Sequence, residues 1–232
     1  MITLTAQMRI QGENPLPFTI GVSELGGGAL FGETIDEEVK FDRRNLLSLE
    51  SEVKDRADID KPSFGIISTG GSLSFKDNSS RFLNYANAGL LTEGIEIKIF
   101  LENTVKKTKK QVGQYYTTDW NYDNDSRSVS VSFKDDLEEW QEVSVGLELV
   151  GSRSKNAFSL YEYLKEKTPL KFNFKEDFLS KDHLKKIGID FLYLENGTLW
   201  SQWKKLCEIA MLFIYKDNYG DVVVCSSFIQ GG

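Results

Sequence analysis

Three runs in the middle of the chain alternate so regularly that they fix the local fold. "GIEIKIFLEN" (94–103) puts Ile95, Ile97, Ile99 and Leu101 on one side of an extended backbone, with Glu96, Lys98 and Phe100 on the other. "VGQYYTTDW" (112–120) and "RSVSVSF" (127–133) follow, the last with Val129, Val131 and Phe133 in phase. Side chains alternate across a strand, so a period of two means one buried face and one wet face. The connections, basic "TVKKTKKQ" and turn-rich "NYDNDS", suit hairpins. The reading is an antiparallel three-strand meander. "ITLTAQMRI" (2–10), with Ile2, Leu4, Ala6, Met8 and Ile10 in phase, adds another half-buried strand.

The rest of the first 150 residues is less regular. Pro15 and Pro17 disfavour a central strand. Gly26, Gly27 and Gly28 read as a loop, because no GK[ST] follows them. Residues 36–62 carry mixed charge with poor period and read as a long surface segment. "FGIISTGGSLSFKD" (64–77) reads as a hairpin about Gly70-Gly71. "SSRFLNYANAGLL" (79–91) reads as a helix stopped at Gly89.

After about residue 150 the pattern turns helical. "SRSKNAFSLYEYLKEKTPL" places Phe158, Tyr161 and Leu164 on one face and ends at Pro169. "KEDFLSKDHLKKIGI" is a shorter helical or loop piece. In "NGTLWSQWKKLCEIAM", Thr198 is the cap, and Leu199, Trp203, Leu206 and Ala210 form a stripe that must be buried. "LFIYKDNYGDVVVCSSF" is a hairpin. The expectation is a β-rich α+β protein: an antiparallel, tube-like β-barrel or sandwich domain (1–150), then a smaller mixed helix–hairpin segment (151–232).

Composition removes several classes of function. At 232 residues and 40% apolar, the chain can bury a core in one or two domains. A net charge of −7 weighs against nucleic-acid binding. Cys207, Cys225 and a lone His183 in charged "SKDHLKK" fall short of a zinc set. A nucleophile–histidine pair would have to use His183, which reads as a surface residue. No 18-residue apolar run and no signal-peptide pattern is present. The expectation is a chain made in a reducing cytoplasm with free thiols. N-x-[ST] triplets at Asn78, Asn124 and Asn196 then read as turn chemistry.

Four features resemble sites. Asp119, Asn121, Asp123 and Asp125 recur at alternate positions like calcium ligands, but the required glycine and terminal glutamate are missing, so a turn is the better reading. Asp135, Asp136, Glu138 and Glu139 resemble a catalytic carboxylate set; Asp135 as a helix cap, in a solvated helix start, explains them. Tyr115, Tyr116, Trp120, Tyr122 and Trp140 could form a sugar platform. Simple alternation places Tyr116, Thr118 and Trp120 opposite Tyr115, Thr117 and Asp119, and core is the favoured role for Trp120. Lys106, Lys107, Lys109 and Lys110 crowd one connection, as a solvated tip or a contact for an acidic partner surface. No cofactor, metal or catalytic residue is assigned.

The order of the short motifs is more informative. Gly113 through Asp123 in "GQYYTTDWNYD", Phe133 through Leu137, Ser159 through Leu164, Thr198 through Leu206 and Asp217 through Gly220 follow one another as in the tail-hub, or baseplate-hub, proteins of bacteriophages and related injection machines. The resemblance covers roughly residues 90–225. It implies a structural virion protein rather than an enzyme: a ring-forming hub or adaptor, most simply a homotrimer. Such a hub joins the tail tube to a distal tip or spike protein, with DNA passing through the lumen and no specific nucleic-acid site. It further implies synthesis in the host cytoplasm and residence at the tail tip. Many such proteins continue into a further domain, whereas this sequence stops at "FIQGG", as a piece of a longer hub or a minimal one. The rival readings are a host-recognition carbohydrate-binding module and a cell-wall hydrolase using Asp136 or Glu138.

Overall fold

A computed structural model describes residues 2–13, 34–42, 44–53, 64–146, 156–189 and 197–226. The Pro15–Pro17 stretch, the glycine triplet and Asn196 lie outside them. In chain order the strands are β1 (Ile2–Glu13), β2 (Thr34–Phe41), β3 (Leu46–Val53), β4 (Gly65–Ile67), β5 (Thr69–Lys76), β6 (Glu96–Asn103), β7 (Thr108–Asp123), β8 (Ser128–Lys134), β9 (Ser144–Val145), β10 (Phe174–Lys175), β11 (Gly197–Thr198), β12 (Leu212–Lys216) and β13 (Val222–Ser226). The helices are α1 (Arg81–Asn87), α2 (Ala157–Lys167), α3 (Lys181–Lys186) and α4 (Leu199–Ala210), with a 3-10 helix at Asp136–Gln141. The chain forms two compact units, Met1–Glu52 with Gly70–Lys134 and Val53–Thr69 with Asp135–Gly232. This division differs from the single boundary expected near residue 150. The reason is long-range: β4 pairs with β12, and Leu137 and Trp140 of the 3-10 helix belong to the second core.

The first unit is a seven-stranded antiparallel half-barrel sheet in the order β2-β1-β6-β7-β8-β5-β3. The expected β6–β7–β8 meander is its centre, and β1 lies beside β6 with Met8 opposite Ile97. Ala6, Met8, Ile10, Ile97, Ile99, Val129, Val131 and Phe133 are buried as their alternation requires. Helix α1 covers this face with Phe82 and Tyr85 and ends at Gly89, whose φ of 69° is the left-handed conformation that stops a helix.

Strands β2 and β3 replace the expected surface segment. Their acidic composition is poor for strands, and it is the free side of β1, pairing Ala6 with Phe41, that makes β2 a strand. Consecutive in the chain, β2 and β3 nonetheless occupy opposite edges of the sheet. The corner between them is tight, with the Leu46 N–H donating to the Asp42 carbonyl at 2.8 Å. The sheet must therefore curl until its edges approach. Nor is there a hairpin at Gly70-Gly71. Both glycines are extended in β5 and pair with Lys134 and Phe133 of β8, while β4 belongs to the other sheet.

In the second unit, β10-β13-β12-β4 form one sheet and β11-β9 a small pair. The Thr198 side chain caps α4 by accepting from Ser201 N, and Leu199, Trp203, Leu206 and Ala210 are all fully buried. Trp203 stacks on Trp140 at 5.8 Å between ring centroids and meets Tyr161 edge-on at 5.6 Å. The β12–β13 hairpin turns at Gly220, φ 88°. His183, expected on the surface, is half-buried on α3. The Glu176 carboxylate accepts from the Tyr161 hydroxyl at 2.7 Å and pairs with Lys165 and Lys181. Burial pushes its pKa up, but these three partners outweigh that and hold it at about 2, below the ordinary 4.5.

Trp203→Ala removes the centre of this aromatic cluster and is expected to cost about 3–5 kcal/mol, read from urea unfolding. The depressed Glu176 pKa fixes the sign of a second expectation. Its stabilisation is complete above the unfolded pKa of 4.5 and is lost as pH falls toward about 2. The unfolding midpoint of Glu176→Gln should therefore fall less than that of the wild type between pH 5 and pH 2, as roughly one titrating group is removed.

Candidate functional site

Strand β7 carries most of the residues that the sequence singled out. A register shift between Ile99 and Phe100 of β6 and another between Thr117 and Asp119 mark β-bulges along it. The second one resets the alternation. Tyr115 pairs with Ile97, whereas beyond the bulge Trp120 pairs with Val131 and Tyr122 with Val129. Tyr115, Trp120 and Tyr122 therefore pack on one core, which corrects the expectation that Tyr115 and Trp120 face apart. The Tyr115 ring lies 4.8 Å from that of Phe133, and a Cβ on Gly113 would overlap it. The Trp120 indole N–H donates to the Thr92 carbonyl at 3.0 Å, and Trp140 is fully buried in the second unit. The aromatics thus do not assemble into one exposed platform.

The calcium-like run is split between strand and turn: Asp119, Asn121 and Asp123 lie on β7, and Asp125 lies in the turn that follows. Asp123 accepts from Asp125 N at 2.9 Å and from the Ser126 hydroxyl at 2.6 Å, which depresses its pKa. Among the described residues no group of three or more His, Cys, Asp or Glu is arranged to hold a metal.

The expected helix start capped by Asp135 is present, but the carboxylate set is only partly solvated, which corrects the expected exposure. Asp135 and Asp136 are 1% and 6% exposed. Asp135 caps the 3-10 helix through Leu137 N at 3.1 Å and also accepts from Thr69 N at 2.5 Å. Burial pushes its carboxyl up in pKa, against these donors. Asp136 pairs with Lys216, which is itself 8% exposed at the side chain. Sequence reasoning missed this pair because 80 residues separate the partners. Both acids are thus committed to holding backbone and a lysine. Cys207 and Cys225 are free, and burial pushes both thiols up, away from reactive thiolate.

Lys106, Lys107, Lys109 and Lys110 are all exposed at the β6–β7 end of the half-barrel. Their surroundings differ from one lysine to the next. Lys109 lies over the Phe100 ring at 3.8 Å and donates to Gln7 Oε1 at 3.0 Å. Lys106 and Lys107 occupy the turn, and Lys110 sits on the opposite side of β7 from Lys109, across from Leu101. Two clefts at this end had no signal in the sequence. One, of about 480 Å³, runs between Ile2–Leu4 of β1 and Leu46–Leu49 of β3. The other, of about 440 Å³, is lined by Thr3, Thr5, Lys40, Asp42, Arg44, Glu102 and Thr104. Glu102 accepts there from Lys40 at 2.9 Å and from the Thr5 hydroxyl at 3.2 Å.

No protein-family model matches the sequence, and no curated protein matches it. Among solved structures, the fold is similar to the 43 kDa tail protein of prophage MuSo2 from Shewanella oneidensis, with 9% identity and a TM-score of 0.44, over 96% of this chain and 56% of that one. It is also similar to the tail protein from Neisseria meningitidis MC58, with 11% identity and a TM-score of 0.44, over 100% of this chain and 52% of that one. The chain spans about half the length of these tail proteins. No helix among the described residues is long and apolar enough to cross a membrane.

Removing Lys216 leaves the buried Asp136 carboxylate with the more exposed Lys171, 3.9 Å away, as its cation. Lys216→Met is expected to destabilise the protein by about 3–5 kcal/mol, and Asp136→Leu/Lys216→Met by much less than the two single changes together. A double-mutant cycle in urea measures the coupling.

Proposed function

We propose that this chain is a structural component of a phage or phage-derived tail, acting as a ring-forming hub or adaptor between tail tube and distal tip, without catalysis. The observation that carries the reading is the match between motif order and elements. The tail-hub motif at Gly113–Asp123 falls within β7, and Phe133–Leu137 runs from β8 into the capped 3-10 helix. Ser159–Leu164 lies within α2, Thr198–Leu206 starts α4 at its cap, and Asp217–Gly220 is the β12–β13 turn. The first unit's sheet also suits a wall facing water. On its second face Ser74 and Ser130 are bonded across β5 and β8 at 2.9 Å, Ser72 lies opposite Ser132, and Gln114 of β7 donates to Glu96 of β6 at 2.6 Å.

In this role the partners are further copies of the chain, a tube or distal tail protein and a tip protein. DNA passes through the lumen without specific binding, and the place of action is the virion tail tip. A ring needs a heterologous contact whose rotation closes.

Light scattering on the purified chain is expected to give three times the 26.3 kDa chain mass, and negative-stain images a closed ring. A single-chain mass at every concentration would overturn the ring. Turnover of purified cell walls that Glu138→Gln abolishes would overturn the non-catalytic role.

A further inference from the structure

The exposed large aliphatic side chains of the first unit gather at one end of its sheet. Ile2, Leu4, Leu47, Leu101 and Val105 are 68%, 42%, 54%, 38% and 78% exposed. Leu4 lies opposite Leu101 on the neighbouring strand, Val105 is in the adjoining β6–β7 turn, and Leu47 shares the larger cleft with Ile2 and Leu4. Scattered exposed aliphatics need no explanation, whereas a gathered set with a polar rim marks a contact surface. The rim here is basic. Lys106, Lys107 and Lys110 form no salt bridge among the described residues, and Arg44 lines the adjacent cleft, whose acids are Asp42 and Glu102, the latter paired with Lys40 and Lys109.

Two copies meeting through this same end would bring lysines against lysines, which excludes a two-fold pairing of like surfaces. The opposite charge lies at the other end of the same strand. β7 is 16 residues long, which is roughly 50 Å of extended chain. Its far hairpin carries Asp119, Asp123 and Asp125, all exposed, with Arg127 and Lys76 as the nearby cations and a net negative sign. Asp123 is tied into its own turn, whereas Asp119 and Asp125 form no salt bridge among the described residues.

We propose that the aliphatic, lysine-rimmed end of the half-barrel docks on the acidic β7–β8 hairpin of a second copy of this chain. The contact is head-to-tail, so it leaves one basic end and one acidic end free for the next copy until the assembly closes. It rests on the ring proposed above and names the two surfaces that would make it. Long-range attraction sets the orientation, and the aliphatic patch holds the contact once water is excluded.

The test uses Lys106→Glu/Lys107→Glu/Lys110→Glu and Asp119→Lys/Asp125→Lys in the full chain, with far-UV circular dichroism reporting the fold. Sedimentation velocity reads association of wild type, each variant and their equimolar mixture, at low and high salt. Each variant alone is expected to self-associate about tenfold to a hundredfold more weakly. The mixture should associate where neither variant does, and salt should weaken the wild type. Leu47→Glu should weaken association without removing its salt dependence. An assembled wild type whose mass neither charge reversal changes overturns this contact and leaves the ring reading standing. A wild type that stays a single chain throughout overturns both.

Discussion

The long strand β7 pairs with β6 over Thr108–Tyr116 and with β8 over Tyr116–Asp123, while its aromatics Tyr115, Trp120 and Tyr122 have to reach one core. A period of two cannot do this for the sequence between Val112 and Tyr122, because the apolar residues fall out of phase. The bulges absorb the mismatch. Each leaves one residue, Val112 or Thr118, out of the register before pairing resumes, so that Tyr115 before the second bulge and Trp120 and Tyr122 after it serve the same core. The rest of the half-barrel follows. β6 and β8 take their register from β7, β1 takes its from β6, and the curl that bulges favour lets the Asp42–Asn45 corner link the two edges.

The second unit is organised around aromatic packing and buried charge. Trp140, Tyr161 and Trp203 come from three separate helical segments and meet in one cluster. Around them, Asp135, Asp136 and Glu176 are drawn inward and given donors or cations. Loss of a partner would leave a carboxylate so placed buried and unpaired, which is costly. That accounts for acids that resemble a catalytic set in sequence and serve as caps and ion pairs in the fold.

Legibility in the sequence tracked how local each cause is. The Thr198 cap, the Leu199-Trp203-Leu206-Ala210 stripe, the Gly89 stop and the alternation through Ile97 and Ile99 of β6 and Val129, Val131 and Phe133 of β8 depend on neighbours within a few residues, and all are where the pattern put them. The lysine cluster was visible, but its split between turn and opposite strand faces, with Lys109 held over Phe100, was not. β2 and β3 were missed because strand formation there comes from a partner strand rather than from local propensity. The apparent hairpin at Gly70-Gly71 failed because glycine permits a turn without requiring one.

By itself, then, the sequence determined the types of the locally driven elements (β1, β6 to β8, the β12–β13 hairpin and helices α1, α2 and α4), the β-rich α+β class and the burial of one face. Those features follow from periodicity and capping, which act over a few residues. Only the tertiary structure decided which strands share a sheet, where the chain divides into units, that Trp120 faces the same core as Tyr115, and that Lys216 neutralises Asp136. Each of these depends on residues far apart in the chain meeting at one place. The alternation of a single strand holds no record of its partner's register or of an inserted bulge.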